Sequence, residues 1–195
     1  MRYLIILLVF TLSGCCALRP DEIPTAPKKQ ALAVVFDIDG TLTPKVISVS
    51  QARTDAAKAV RLFADKGYKI IYLSARVIWL QAGVPDWLKE NGFPDGNIQL
   101  SQTNEDHSRP DEFKVRVLKS FIDHGWTLQY AYGDSATDFK AYVAAGIPKK
   151  HIFALLRDGE TQCEGDSTYW NACLNGWTEH LDFVAESVQS LKPSY

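Results

Sequence analysis

Short, largely apolar runs at 32–36 (Leu-Ala-Val-Val-Phe), 69–73 (Lys-Ile-Ile-Tyr-Leu), 128–132 and 151–155 punctuate the chain. Between them apolar residues recur every three or four positions. The runs predict strands buried on both faces, because a strand with one solvated face would alternate apolar and polar residues. A shorter strand is expected at 98–100. The spaced patterns predict helices at 50–66, at 79–91 with a break near Pro85, and at 111–124, 137–145 and 179–191. Gly67, Gly92 and Gly146 follow three of these and supply stop signals. Strand and helix alternate, which predicts an α/β, Rossmann-like domain: a parallel sheet with helices on both faces. In such sheets ligands bind beyond the carboxyl ends of the strands. Asp37, Asp39 and Asp134 fall at that edge.

The first thirty residues follow a different pattern. Arg2 precedes an apolar stretch at 3–12, which runs into Leu-Ser-Gly-Cys at 12–15. A basic start, a short apolar run and small residues predict an export signal over 1–14. The run falls short of the ~20 apolar residues that a membrane-spanning helix needs. Leu-Ser-Gly-Cys resembles the lipobox of bacterial lipoproteins. The resemblance implies cleavage before Cys15, lipidation of Cys15 and attachment to a membrane. The alternative is an ordinary signal or an uncleaved anchor with an incidental cysteine. Cys16 follows where an aspartate would favour inner-membrane retention, so the resemblance implies the periplasmic face of the outer membrane. Pro20, Pro24 and Pro27 stand among polar residues at 17–30 and suggest an extended tether. The domain is then expected at 31–195, and the membrane-side segment at 15–30.

Composition narrows the classes. The chain has 195 residues, 46% hydrophobic and 23% charged, which suits one domain with its own core. A formal net charge of −2 lacks the basic excess of a nucleic-acid binder. With Cys15 set aside, Cys16, Cys163 and Cys173 remain. An exported protein can keep disulfides. Cys163 and Cys173, close together in a polar stretch, are the natural pair. A metal site there is the competing reading, without a histidine at ligand spacing. His107, His124, His151 and His180 show no ligand spacing either.

The chemistry concentrates after the first strand, at Asp37-Ile38-Asp39-Gly40-Thr41. Alternation along an extended chain points Asp37 and Asp39 the same way. Two carboxylates side by side need a proton or a cation. Hard oxygen ligands suit Mg2+, whose shell a substrate phosphate can complete. Gly40 permits a sharp turn and close approach of phosphate to the backbone.

This segment resembles the first motif of the haloacid dehalogenase (HAD) superfamily phosphatases. Ser74 at the end of the second strand, Lys114 at the start of a helix, and Gly133-Asp134-Ser135-Ala136-Thr137-Asp138 are similar to the motifs that follow it. Gly67-Tyr-Lys-Ile-Ile-Tyr-Leu-Ser-Ala-Arg76, Pro110-Asp-Glu-Phe-Lys114, and Ala141-Tyr142 with Gly146-Ile-Pro148 look like the lipin phosphatase domain and its Nir-type relatives among phosphatidylinositol-transfer proteins. Lipins carry Asn where this chain has Asp134, and the insert at 101–109 is shorter here.

The resemblance implies roles for these residues. Asp37 is the nucleophile and forms an aspartyl phosphate. Asp39 is the general acid and base. Mg2+ is held by Asp37, the backbone carbonyl of Asp39, and Asp134. Thr41, Ser74 and Lys114 bind the substrate phosphate. Asp138 orients Lys114 or a metal-bound water. Arg76 either reaches the substrate or braces its loop. Predicted elements fill the intervals between Asp37, Ser74 and Lys114, which leaves a minimal cap or none. An open site suits a large phosphorylated substrate such as membrane phosphatidate. Three functions remain: a lipid phosphate phosphatase, a phosphatidate-binding module without turnover, and a general periplasmic acid phosphatase for nucleotides or sugar phosphates. A pure binder would not need both Asp37 and Asp39.

Overall fold

A computed structural model of the chain describes residues 18–48 and 50–192. The export signal, Cys15 and Cys16 lie outside the described residues. Six strands, β1 (Leu32–Asp37), β2 (Lys69–Ser74), β3 (Asn97–Leu100), β4 (Thr127–Gly133), β5 (Ile152–Leu155) and β6 (Ala172–Leu174), form one sheet in the order β3-β2-β1-β4-β5-β6. Every neighbouring pair is parallel. The helices are α1 (Ala56–Asp65), α2 (Val84–Glu90), α3 (Asn104–Ser108), α4 (Pro110–Asp123) and α5 (Ala136–Ala144).

Both faces of the sheet are covered. Val34 and Phe36 of β1 pack with Ala59, Val60 and Phe63 of α1. Their alternates Ala33 and Val35 pack with Phe113 and Phe121 of α4 and Phe139 of α5. That two-sided burial explains why β1 reads as an unbroken apolar run. The chain crosses from one side of the sheet to the other between β1 and β4. In doubly wound sheets a ligand crevice opens at such a switch point.

The elements depart from expectation where side chains or prolines override periodicity. α1 starts at Ala56, not near 50, because Arg53 is buried and turned back onto the preceding loop. Its guanidinium donates to the carbonyls of Gly40 (2.7 Å), Thr43 (3.0 Å) and Leu156 (2.7 Å). The expected helix at 79–91 divides into a 3-10 turn, Ile78–Leu80, and α2, with Pro85 in the first turn of α2, where its missing N–H costs nothing. The expected helix at 179–191 is only a 3-10 turn, Thr178–His180, and a single π-type turn, Phe183–Ser187. Beyond it Lys66 draws the chain away, donating to the carbonyls of Ala185 and Val188 at 2.8 Å each. The insert at 101–109 holds the short helix α3, capped by Thr103 and Asp106.

Residues 18–27, expected as a tether, are extended but bound along the domain. The Asp21 N–H donates to the Ile98 carbonyl (3.1 Å), and Asn97 and Gln99 donate to the carbonyls of Glu22 and Asp21, each at 2.8 Å. Trp126 Nε1 donates to the Pro24 carbonyl at 2.7 Å, while Ile23 and Ala26 pack against the core. The strap covers the end of the sheet that β3 would otherwise expose. Cys163 and Cys173 are disulfide-bonded, with Cα atoms 5.8 Å apart, which rules out the alternative of a metal site at these cysteines. The bond ties the loop after β5 to β6.

His180 lies in the core beside Phe153 and Phe183, with Nε2 3.0 Å from the Tyr132 hydroxyl. Burial pushes its pKa down from 6.5 to about 4. Between those values the unfolded chain binds the extra proton and the folded one does not. The contribution of His180 to stability is therefore intact above pH 6.5 and is lost as pH falls toward 4. The loss is about 2–3 kcal/mol. Unfolding free energies of the wild type and His180→Gln, measured from pH 7 to 4, should show the wild type losing about 2 kcal/mol more. Parallel profiles would contradict the assignment.

Candidate active site

Strand register builds the site. Asp37 ends β1 opposite Leu73, so Ser74 of β2 stands one position beyond it. On the other side Phe36 pairs with Tyr132, which brings Gly133-Asp134 at the end of β4 alongside Asp37. Ser135 then caps α5. Its hydroxyl accepts from the Asp138 N–H, and the Asp138 carboxylate accepts from the Ser135 N–H. Lys114, buried on α4, reaches in from below.

Two polar clusters face each other across this edge. In the first, Lys114 Nζ donates to Asp37 Oδ1 at 2.6 Å and to Asp138 Oδ1. Asp138 Oδ2 accepts from the N–H groups of Asp134 (3.2 Å) and Ser135 (3.0 Å) and from the Ser135 hydroxyl (2.7 Å). Asp134 Oδ1 accepts from the Thr41 hydroxyl at 3.3 Å, and its Oδ2 accepts from Arg157 Nε. Arg157 is held in turn by Glu164 at 2.6 Å. In the second cluster Arg76 grips Asp39 through Nη2 (2.6 Å) and Nε (3.0 Å), and Ser74 Oγ donates to Asp39 Oδ2 at 2.6 Å.

Gly40 lets the clusters approach. A Cβ there would lie 1.9 Å from Asp134 Oδ2, and its φ of +87° is one that side-chain-bearing residues rarely adopt. Arg53 fixes the Gly40 carbonyl from the other side.

The electrostatics are those of a crowded anionic site. Burial, then the charge of Asp138, pushes the Asp37 pKa well up, while Lys114 pulls it back. Burial and Asp138 also raise Asp134, to about 6, against the pull of Arg157. Burial alone would strip the proton from Lys114, but Asp138 and Asp37 outweigh it and hold Lys114 above the usual lysine range.

The site fits a hard divalent cation. Oxygens of Asp37, Asp134 and Asp138 all lie within 4.8 Å of one another. Hydrogen bonding separates their roles. Asp138 spends both oxygens on Lys114 and on the cap of α5, whereas Asp37 Oδ2 is buried with no hydrogen-bond partner. A buried unpaired carboxylate oxygen is costly unless a ligand completes it. The carbonyls of Ile38 and Gly40 accept hydrogen bonds, and that of Asp39 accepts none among the described residues. Asp37 and the Asp39 carbonyl are thus the donors left open for a cation, and Asp134, with one contact from Thr41 at 3.3 Å and one from Arg157 against the four that Asp138 accepts, is the less committed of the other two carboxylates. The Asp39 side chain belongs to Arg76.

A cleft of about 510 Å³ opens over both clusters. Asp37, Asp39, Ser74, Arg76, Lys114 and Arg157 line its floor, and Val46, Ile47, Val77 and Leu80 line its walls. One loop and α1 fill the interval between β1 and β2, and a 3-10 turn, α2, β3 and α3 fill that between β2 and α4, so no cap domain is present among the described residues. Thr41, expected at the substrate, is fully buried and holds Asp134 instead. Arg76 braces Asp39 and also lines the cleft. Asp138, expected to orient Lys114 or a metal-bound water, accepts from Lys114 Nζ and from the cap of α5. Arg157 and Arg53 carried no motif signal. An arginine reaching across the sheet leaves no local pattern.

A parallel sheet in this order, carrying an Asp-x-Asp at the end of its central strand, defines a domain of the haloacid dehalogenase type. A crystal structure of D,D-heptose 1,7-bisphosphate phosphatase from B. bronchiseptica, complexed with magnesium and phosphate, superposes with a TM-score of 0.57. The alignment is 12% identical and covers 80% of this chain and 99% of that one. Within that fold the chain belongs to the LNS2 domain family: residues 34–156 match the family described as PITM 1-3, LNS2 domain. Human membrane-associated phosphatidylinositol transfer protein 3 is 33% identical over 166 residues, 80% of this chain and 16% of that protein. Human phosphatidate phosphatase LPIN2 is 26% identical over 152 residues, 65% of this chain and 17% of that protein. The chain thus spans less than a fifth of the length of these relatives.

If Thr41 serves Asp134, Thr41→Val should weaken Mg2+ binding by about tenfold, the lower end of losses from ligand-supporting groups. Asp134→Ala should abolish it. Titration calorimetry with Mg2+ measures both. Unchanged Mg2+ affinity in Thr41→Val would return Thr41 to the substrate.

Proposed function

We propose that this chain is a Mg2+-dependent phosphomonoester hydrolase that works through an aspartyl phosphate at Asp37, with a lipid phosphate such as phosphatidate as substrate. The observation that carries this reading is the division of labour within Asp37. One oxygen is held by Lys114, and the other is unpartnered beside the cleft. Asp37 attacks phosphorus, and the bond from phosphorus to the leaving oxygen breaks. Asp39, protonated from solvent once the substrate phosphate has taken over Arg76 and Ser74, gives that proton to the leaving oxygen, then takes one from the water that cleaves the acyl phosphate. Lys114 offsets part of the effect of burial on Asp37 and so favours the ionised form that attacks. Arg76 and Ser74 orient Asp39 in the free protein. An incoming phosphate competes for the same donors and so loosens Asp39 as it binds. A bound Mg2+ would neutralise charge between the carboxylates and the phosphoryl group.

A second reading is recognition of phosphatidate without turnover. The phosphatidylinositol transfer proteins, which include the 33%-identical relative, favour it. Against it stand Asp37 and Asp39, since a binder gains nothing from two carboxylates facing a phosphate. The lipobox-like segment supports a lipoprotein on the periplasmic face of a bacterial outer membrane, with the anchor keeping the domain beside its substrate.

Hydrolysis of p-nitrophenyl phosphate and of phosphatidate in mixed micelles tests the proposal. Asp37→Asn and chelation of Mg2+ should each abolish both activities, and Asp39→Asn should slow them by about 10²–10⁴. Turnover by Asp37→Asn would refute the nucleophile. A tenfold preference for nucleotides or sugar phosphates, about 1.4 kcal/mol in the transition state, would refute the lipid substrate.

A further inference from the structure

The described residues expose five large hydrophobic side chains: Val46, Ile47, Trp79, Ile122 and Val143. Two of them, Val46 and Ile47, line the cleft, and a third, Trp79, lies in the turn between two other lining residues. Ile47 is 85% exposed and, with Val46, forms one wall of the mouth. Trp79, 68% exposed, sits in the 3-10 turn between Val77 and Leu80, which form the opposite wall. Ile122 lies on α4 and Val143 on α5, apart from this rim.

The strap gives the rim a direction. The Leu18 N–H donates to Gln81 Oε1 at 3.2 Å, and Gln102 donates to the Leu18 carbonyl at 2.9 Å. Gln81 itself clamps the rim loop, donating to the carbonyls of Arg76 (2.8 Å) and Ser101 (2.7 Å). The chain therefore reaches the domain immediately beside Trp79. Cys15 is three residues upstream of Leu18. Even fully extended, that length spans only about 10 Å. Arg76, which lines the cleft, can offer a headgroup phosphate the donors it shares with Asp39.

We infer that the apolar rim of Val46, Ile47 and Trp79 is a bilayer-docking surface, which the strap holds against the membrane so that the cleft opens onto phospholipid headgroups. The inference rests on the membrane attachment proposed above. An indole at the edge of a polar cleft suits the boundary between headgroups and acyl chains. Docking there would bring a headgroup phosphate to Arg76 and Lys114 without the lipid leaving its leaflet.

Tryptophan fluorescence tests this directly, because Trp87, Trp126 and Trp177 are buried and Trp170 is half-buried. The full-length chain is bound to phosphatidylcholine–phosphatidylglycerol vesicles with brominated acyl chains, which quench an indole that contacts them. Quenching is expected in the wild type and should be lost in Trp79→Phe. In a second arm, the full-length Cys15→Ser chain is sedimented with the same vesicles. Ile47→Glu added to it should lower the bound fraction at least tenfold, and Ile122→Glu should not. No quenching in the wild type, or equal quenching in Trp79→Phe, would overturn the inference. So would a Trp79 emission already blue-shifted without vesicles, which would assign the rim to residues 1–17. Self-association lost in Trp79→Phe would assign it to a second copy, with the same consequence. Hydrolysis of p-nitrophenyl phosphate by the same wild-type preparation separates the two claims. Quenching without hydrolysis leaves the docking surface standing and removes the phosphatase. Hydrolysis without quenching does the reverse.

Discussion

Asp37, Asp134 and Asp138 are buried together at the carboxyl ends of two adjacent strands, opposed by the Lys114 ammonium and the Arg157 guanidinium. Burial raises the cost of every unbalanced charge. Much of the surrounding structure answers that cost. Asp138 is drawn into the cap of α5 and satisfied there. Arg157 crosses from the loop after β5 to Asp134, and Glu164 steadies it. Gly40 is obligatory because the carboxylate of Asp134 occupies the space where a Cβ would stand. Gly133 is constrained likewise, since a Cβ there would lie 2.6 Å from Asp138 Cβ. What stays unbalanced is one buried oxygen of Asp37, a residue that lines the cleft.

The chemistry of the chain was legible in its sequence wherever function sits at an element's end. β1 and β4 are buried on both faces and so read as apolar runs, and the residues that terminate them, Asp37 and Asp134, announce the site. Asp138 was legible for the same reason, as the acidic residue in the first turn of a helix. Contacts that depend on reach were not legible. Arg53 and Arg157 act on Gly40 and Asp134 from other segments, and no period or spacing in the sequence distinguishes them from surface charges. Thr41 belongs to the motif, but its burial against Asp134 depends on how the β1 loop turns. β6 has only three residues and takes its position from β5 and the disulfide. The proline-rich strap reads as a linker because extended chain held by side-chain amides leaves no hydrophobic period.

The two polar clusters make different demands on a ligand. Lys114, Asp138 and Asp134 are fixed by contacts within the protein and form a rigid floor. Asp39, Ser74 and Arg76 bond chiefly to one another and line the cleft, so a phosphate can enter that set by exchange. Recognition of a phosphate would need only the donors of the second set. Breaking its ester also needs a carboxylate nucleophile, the proposed role of Asp37, and a proton carrier opposite. The proposed hydrolysis rests on Asp37 and Asp39 standing in these two positions.

Covalent capture at Asp37 is the most direct test. p-Nitrophenyl phosphate, whose leaving group departs without a proton, is mixed with the Asp39→Asn protein and Mg2+, quenched in acid within the first turnovers, and digested for mass spectrometry. Acid preserves an acyl phosphate, and loss of Asp39 slows its breakdown. One phosphoryl group is expected on the peptide that contains Asp37, absent when Mg2+ is withheld and absent in Asp37→Asn. Phosphate released with no modified Asp37 peptide, or a phosphoryl group on any other residue, would contradict the nucleophilic role of Asp37.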